Sequence, residues 1–506
     1  MEIVLDNKFL EKIHFKRIQD VTKYIGMILL TVMFILCAYT RLITFTLVLS
    51  IVISIFCVFQ NIEDLVCLKI ILYPFTSIMS YDFYGPYLII SLVLYSAIFV
   101  RTIFNIINKK TKNSLSYLVI GLLVLYMIYS MLPIFNRKVG LLSITSFANI
   151  FFVAMVFINR NELHFKKLAL CFSIFLLLSC VMSIFGEYVR DWRNFLDYVG
   201  HIDMDNWSKK NEVLGKFNCD LIPRFKAFYI HSNIFAGFAG FSISLLCYLK
   251  YKKQIDDLMV YLLFVPTFMF GYLTISRAYI VVLFIVLATD FIFLIIRDKK
   301  ESLKTIIPIC SIILLTVAVL YKITQFYFTR FESNYEIGVD NSDISEEKWA
   351  LIMNGELHYD CGRISLYKIY LKFFLNNPIN FIFGRGNNFP YIGKTHSHNL
   401  IIDLIYVNGI VGILIYLVIL FFMFDLKNIK KYWNMDRLSI VIMLFGWFMY
   451  ELLNTYFSFL WLTIFIVAFY DKSLYKTNQC IENTESANAK EVDEDIKINQ
   501  EITQNK

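Results

Sequence analysis

Four places along the chain hold residues at odds with the apolar runs around them. The first is Thr395-His396-Ser397-His398-Asn399, directly before a mostly apolar stretch that begins at Leu400. The second is the segment from Ile222 to Asn233, which carries Arg224, Lys226, His231 and Asn233. The third is Ser276-Arg277, between two apolar runs. The fourth comprises Gly362-Arg363 and Gly384-Arg385-Gly386. A histidine can take a proton from a hydroxyl near neutral pH. A guanidinium holds phosphate oxygens in a two-pronged grip and stays charged throughout the relevant pH range. Together these types suit transfer of a group from a phosphate-activated donor to a hydroxyl. The plain rivals are a helix cap with incidental histidines and arginines that merely anchor helix ends at a membrane rim.

The elements that must position these residues are membrane helices. Of 506 residues, 58% are hydrophobic and only 17% are charged, with 49 Phe and 32 Tyr, more apolar surface than a soluble domain needs. Hydropathy predicts spans over 21–39, 42–60, 65–80, 87–106, 115–133, 140–158, 167–186, 231–250, 256–274, 278–296, 303–322, 399–424, 437–454 and 456–470. The fold class expected is an all-α polytopic membrane protein with about 12–14 transmembrane helices. Its divisions are a cytoplasmic segment 1–20, a helical domain 21–471 and a disordered cytoplasmic tail 472–506. The first span lacks a small-residue cleavage site and reads as an uncleaved anchor. Gly409 and Gly412, inside the span that follows Asn399, predict close approach of a neighbouring helix.

Loop charge sets the expected orientation. The basic connections after Asn108, Arg160, Tyr248, Arg297 and Asp425 fall on one side, the cytoplasmic one, if the basic N-terminus is inside. Asn136-Arg137-Lys138 is the exception. The net charge of +8 is therefore a topological signal and implies no nucleic acid partner. Both termini are expected inside, and 187–230 and 323–398 outside as large folded caps. The first cap balances seven acids against seven bases. In the second, Ile364, Tyr367, Tyr370, Leu371 and Phe374 recur at helical spacing and predict an amphipathic helix on the bundle or the interface.

All four chemical features then lie on the outer face, where arginine is disfavoured without a ligand. His396 and His398 are two apart. A metal site would need a third ligand from His231 or Asp403, so no metal is expected. Gly384-Arg385-Gly386 is too short for a phosphate loop and reads as a turn after a helix that ends at Pro378. Cys219 and Cys361 both fall in outer loops, where they could pair.

The order of these motifs resembles the O-antigen polymerase and O-antigen ligase superfamily. It runs Arg224-x-x-x-Phe228, His231-x-Asn233, Ser276-Arg277, Gly362-Arg363, Asn377-Pro378, Gly384-x-Gly386, His398-Asn399-Leu400 and Gly409-x-x-Gly412, over about 222–415. The resemblance implies a GT-C-like helical membrane glycosyltransferase with an undecaprenyl-diphosphate-linked oligosaccharide as donor. It implies diphosphate contacts at Arg224, Arg277 and Arg363, with His398 as the base. Arg385, His396, Asn399, His231 and Asn233 support the site. Here the chain departs from the pattern in having His396 as well, and Arg385 between the two glycines. No cofactor is implied. The implied partners are the lipid-linked donor, the growing polysaccharide chain, the bilayer and a chain-length regulator.

Two rivals follow. A ligase would move the finished glycan to a lipid or protein acceptor with the same donor. A lipid-linked oligosaccharide flippase should instead bury ionisable groups along its path. Lys69, Arg101 and Asp290 are the few candidates and form no evident set.

Overall fold

The structure, a computed structural model, describes residues 26, 29–33, 43–73, 84–108, 114–131, 141–187, 202–205, 222–227, 232–297, 299–319, 321, 363–386, 392, 397, 399–426 and 459–471. The helices in chain order are α1 (Ile43–Phe59), α2 (Ile62–Leu72), α3 (Tyr84–Ile107), α4 (Ser114–Met131), α5 (Leu141–Ile158) and α6 (Phe165–Glu187). Then come α7 (Ser232–Tyr251), α8 (Asp257–Tyr272), α9 (Arg277–Arg297), α10 (Lys299–Val319), α11 (Arg363–Asn376), α12 (Pro378–Phe383), α13 (Leu400–Met423) and α14 (Phe459–Tyr470). Most begin and end within a few residues of the hydropathy boundaries. The expected 437–454 span, the 472–506 tail, Cys219 and Cys361 lie outside the described residues.

Among the described residues the architecture is helical apart from one antiparallel pair, β1 (Ile202–Asp205) with β2 (Ile222–Phe225). Pro223 has no backbone donor, so this piece suits a short edge strand better than a helix interior.

Among the described residues, four helices are long and apolar enough to cross a membrane: Ile89–Ile107, Phe165–Ser183, Ser232–Tyr251 and Leu400–Met423. Shorter apolar helices accompany them. Large apolar side chains face outward, among them Phe59 at 76% exposure, Phe284 at 73% and Leu314 at 69%. Such surface belongs in lipid. The span expected at 65–80 is different. Here α2 covers 11 residues, about 16 Å of helix, and residues 74–80 of the expected span lie outside the described residues. Asn61 starts it by accepting from the Asp64 N–H, and Glu63 and Asp64 suit the positive end of the helix. Nine of its residues are buried, so α2 is a core helix surrounded by protein.

One end of the bundle is tied by a polar knot. Asp64, fully buried, pairs with Lys167 at 2.7 Å, and Glu63 reaches Lys167 and His164. Asn105 donates to Asn159 and Glu162. The Arg160 guanidinium donates to Ser116 and the Phe157 carbonyl, between the rings of Phe157 and Tyr470 at 4.2 and 4.5 Å. Stacking and hydrogen bonds offset part of the cost of burying that charge. Asp471 accepts from the Phe165 N–H, and Tyr470 donates to the Met423 carbonyl. The knot thus gathers ends of α2, α3, α4, α5, α6, α13 and α14.

A second, smaller core lies apart from the main one. Ile369, Tyr370, Phe373 and Phe374 of α11 pack with Ile392 and Tyr406. The expected amphipathic helix is there, with its face rotated from the expected one. Ile369 and Phe373 turn inward, while Leu371 is 59% exposed. Leu371, which helical spacing places on the expected face, shares the outer side with Leu375 and Lys368.

Candidate functional site

Arg224 lies in β2, where its register partner is Asp203 of β1. The Phe225 N–H donates to the Leu273 carbonyl at 3.0 Å, and the Phe225 ring packs on Phe235 and Phe270. This seats β2 against the turn that opens α9. In that turn Ile275 is buried at φ 50°, an unfavourable conformation for a β-branched residue. Thr274 holds it, donating to the Gly271 carbonyl and accepting from the Ser276 N–H. Arg277 follows as the first residue of α9. The backbones that carry Arg224 and Arg277 are therefore brought together. Asn233 is half-buried in the first turn of α7, and His231 lies outside the described residues.

The remaining residues gather around α13, which is broken. Gly409 has φ 68° and ψ 178°, a conformation open essentially to glycine alone. Beside the break run Gly384, Arg385 and Gly386. The Arg385 N–H donates to the Tyr406 carbonyl at 2.7 Å, and the Gly386 N–H to Val407 at 3.0 Å. The break would otherwise leave backbone groups poorly satisfied in an apolar setting. Two glycines allow the approach: a Cβ on Gly384 would run into the Val407 carbonyl oxygen and stand 2.6 Å from the Gly409 nitrogen. From α4, the Tyr129 hydroxyl lies 2.8 Å from the Phe383 carbonyl and 2.7 Å from that of Asn408, sharing its one proton between them.

Two sequence expectations are corrected here. Gly412 does admit a neighbouring helix, since a Cβ there would stand 2.9 Å from the Tyr129 ring. Gly409 serves the break instead of helix packing. The glycines of Gly384-Arg385-Gly386 do more than turn the chain after α12, a short helix with Pro378 at its start. They dock it onto a severed span.

Arg385 is held at both backbone and side chain. Its guanidinium donates to the Tyr406 hydroxyl at 3.1 Å and lies 5.1 Å from the Phe373 ring. Tyr406 is buried against Tyr370 and Phe373. Arg385 thus joins α11, which begins at Arg363, to the first half of α13. Asn399 caps α13, its side chain accepting from the Ile401 and Ile402 N–H groups. His396 and His398 lie outside the described residues, while Ser397 and Asn399 on either side of His398 are described. Tyr129 and Tyr406 are the residues sequence reasoning missed, while Ser397 entered only as a neighbour of the histidines and Asp403 only as a possible metal ligand. Asp403, four residues after a candidate cap, was the one legible hint.

Fold and exposed surface define an integral membrane protein of helical type, with arginines at helix starts and a capped, broken span. Residues 262–417 match the family model described as O-antigen ligase. The match supports the O-antigen polymerase and ligase superfamily, whose members are membrane glycosyltransferase-like enzymes. It contains Arg277, Arg363, Arg385, His396, His398 and Asn399, whereas Arg224, His231 and Asn233 precede it. No curated protein and no solved structure matches the chain.

Proposed function

We propose that the chain is a polysaccharide polymerase that joins undecaprenyl-diphosphate-linked oligosaccharide repeat units on the outer face of the bacterial plasma membrane. The O-antigen ligase match over residues 262–417 carries this reading. His398 takes the proton of an acceptor sugar hydroxyl as that oxygen bonds to the donor's anomeric carbon. The bond from this carbon to the diphosphate oxygen breaks. Its electron pair leaves with the lipid diphosphate, whose charge Arg224, Arg277 and Arg363 stabilise. Arg277 and Arg363 each open a helix, where the backbone dipole disfavours a cation and favours an anion. A bound diphosphate reconciles the two. The family description also supports a second reading, transfer of the finished glycan to a lipid or protein acceptor. Lys69 lies 5.0 Å from the Tyr95 ring, and Arg101 donates to the Val58 carbonyl, each engaged with its own neighbour.

The arginines are tested by lysine, which keeps the charge and loses the planar fork. Arg277→Lys and Arg363→Lys are expected to lower polymer synthesis on the order of 10²-fold with protein still in the membrane. For Arg224 the rival role is pairing across the strands with Asp203, so Asp203→Asn is the control. Equal losses from Arg224→Lys and Asp203→Asn would assign Arg224 to the strand pair. Full activity with Lys and with Ala at all three positions would move the donor site elsewhere.

The orientation is part of the proposal: the knotted end is cytoplasmic and the arginine-bearing end is outside. On a cysteine-free background, an impermeant thiol reagent added to intact cells should label a cysteine placed at Asn341 and spare one at Lys430. The reverse pattern would put the site on the wrong side for a lipid-linked donor.

A further inference from the structure

We infer that Ser397 and Asp403 are positioning residues that fix the backbone on both sides of His398. The inference rests on the proposed role of His398 as the base. Ser397 is fully buried, and its N–H donates to the Asp403 carboxylate at 3.1 Å. Its hydroxyl donates to the Asn399 carbonyl at 2.9 Å and accepts from the Asn399 N–H at 3.1 Å. The Asp403 N–H donates back to that same Asn399 carbonyl at 3.0 Å. Ser397, Asn399 and Asp403 therefore close a ring of bonds, and in sequence His398 is the one residue between the first two.

Capping does not require this ring. The Asn399 side chain already serves the Ile401 and Ile402 N–H groups. The bonds of Ser397 satisfy no helical donor beyond the cap itself; they hold the approach to the helix, two residues upstream. Asp403 sits one turn into α13, and helical side chains lean toward the N-terminus, which brings its carboxylate back over that approach. A proton acceptor must be held to within about 0.5 Å of its working geometry. Losing one wall of the ring is thus expected to cost rate more than binding.

The test uses the full chain in membranes, supplied with lipid-linked saccharide extracted from cells carrying His398→Ala. Rates are taken per folded protein, measured by gel filtration in detergent. Ser397→Ala and Asp403→Ala are expected to lower kcat by about 10–100-fold, with KM within about threefold. Ser397→Thr keeps the hydroxyl and Asp403→Asn keeps the acceptor oxygen, so both should recover most of that loss. Adding Ser397→Ala to His398→Ala should cost nothing further, because a positioning residue has nothing left to position. Wild-type kcat in the two alanine variants overturns the inference while leaving His398 as the base. So does a further loss in the double variant, or failure of Thr and Asn to improve on Ala. A fully active His398→Ala chain overturns the base assignment and this inference with it.

Discussion

Cells carrying His398→Ala are expected to lose the long surface-glycan ladder while lipid-linked single repeats build up. In sequence the histidine stands one residue before the Asn399 cap, ahead of α13 and outside its helical turns. Expression and insertion should therefore persist. A general base is worth about 10²–10⁴-fold in rate, enough to erase polymer from a gel. His396→Ala provides the comparison and should be milder, since the motif places the base directly before the asparagine. A wild-type ladder from His398→Ala would remove the proposed base. Loss of lipid-linked repeats from the outer leaflet, in place of their accumulation, would favour the flippase. Accumulation of finished polymer on its lipid carrier would favour the ligase.

Gly409→Ala and Gly384→Ala should be the most damaging small substitutions in the described part of the chain. Both glycines have positive φ with ψ near 180°, at 68° and 178° for Gly409 and 75° and 170° for Gly384. The strain of one alanine in that region costs about 1–3 kcal/mol. Each new methyl would also meet backbone of the opposing segment, which has no side chain to swing aside: Gly384 N at 2.5 Å for Gly409, and Gly409 N at 2.6 Å for Gly384. The expected result is a lowered thermal midpoint in detergent and loss of polymer synthesis in both variants. Gly121→Ala is the control. A Cβ there meets nothing within 4 Å, and a helical Gly-to-Ala change stabilises by about 0.5–1 kcal/mol. If Gly409→Ala behaves like Gly121→Ala, the break is not held as described.

Much of this architecture was legible because hydropathy alone separates lipid-spanning helices from their connections. What escaped was backbone conformation. Gly409 and Gly412 form a pattern that reads as helix packing, and nothing in the residue types says that one of them leaves the helix. The break depends on Gly384, 25 positions earlier, and on Tyr129 in another helix, so no local window contains it. The β1–β2 pair escaped for a related reason: its strands are four residues each and meet across an intervening stretch. The face of α11 was misdrawn because apolar residues surround it. Leu371 and Leu375 lie outward, as a helix at a lipid interface permits, and spacing cannot say which apolar stripe meets protein. The arginines at the starts of α9 and α11 were legible from their place beside apolar runs. The link from Arg385 to Tyr406 was not, since it depends on a fold in the chain that only the break permits.

The knot at the bundle's end has a consequence for synthesis. Its bond between the Phe165 N–H and Asp471 spans 306 residues. At about 5–20 residues per second, the ribosome takes roughly 15–60 s to cover that distance. Throughout that interval Arg160 lacks one of its two flanking rings, Tyr470, and the Phe165 amide lacks its acceptor. The slot later filled by the buried side chains of Thr463, Ile464, Ile466 and Val467 has no occupant. The early half of the bundle therefore waits in the membrane with an open seam and a cation exposed along it, and nascent chains stalled before α14 are natural clients for whatever holds unfinished helices at the insertion site.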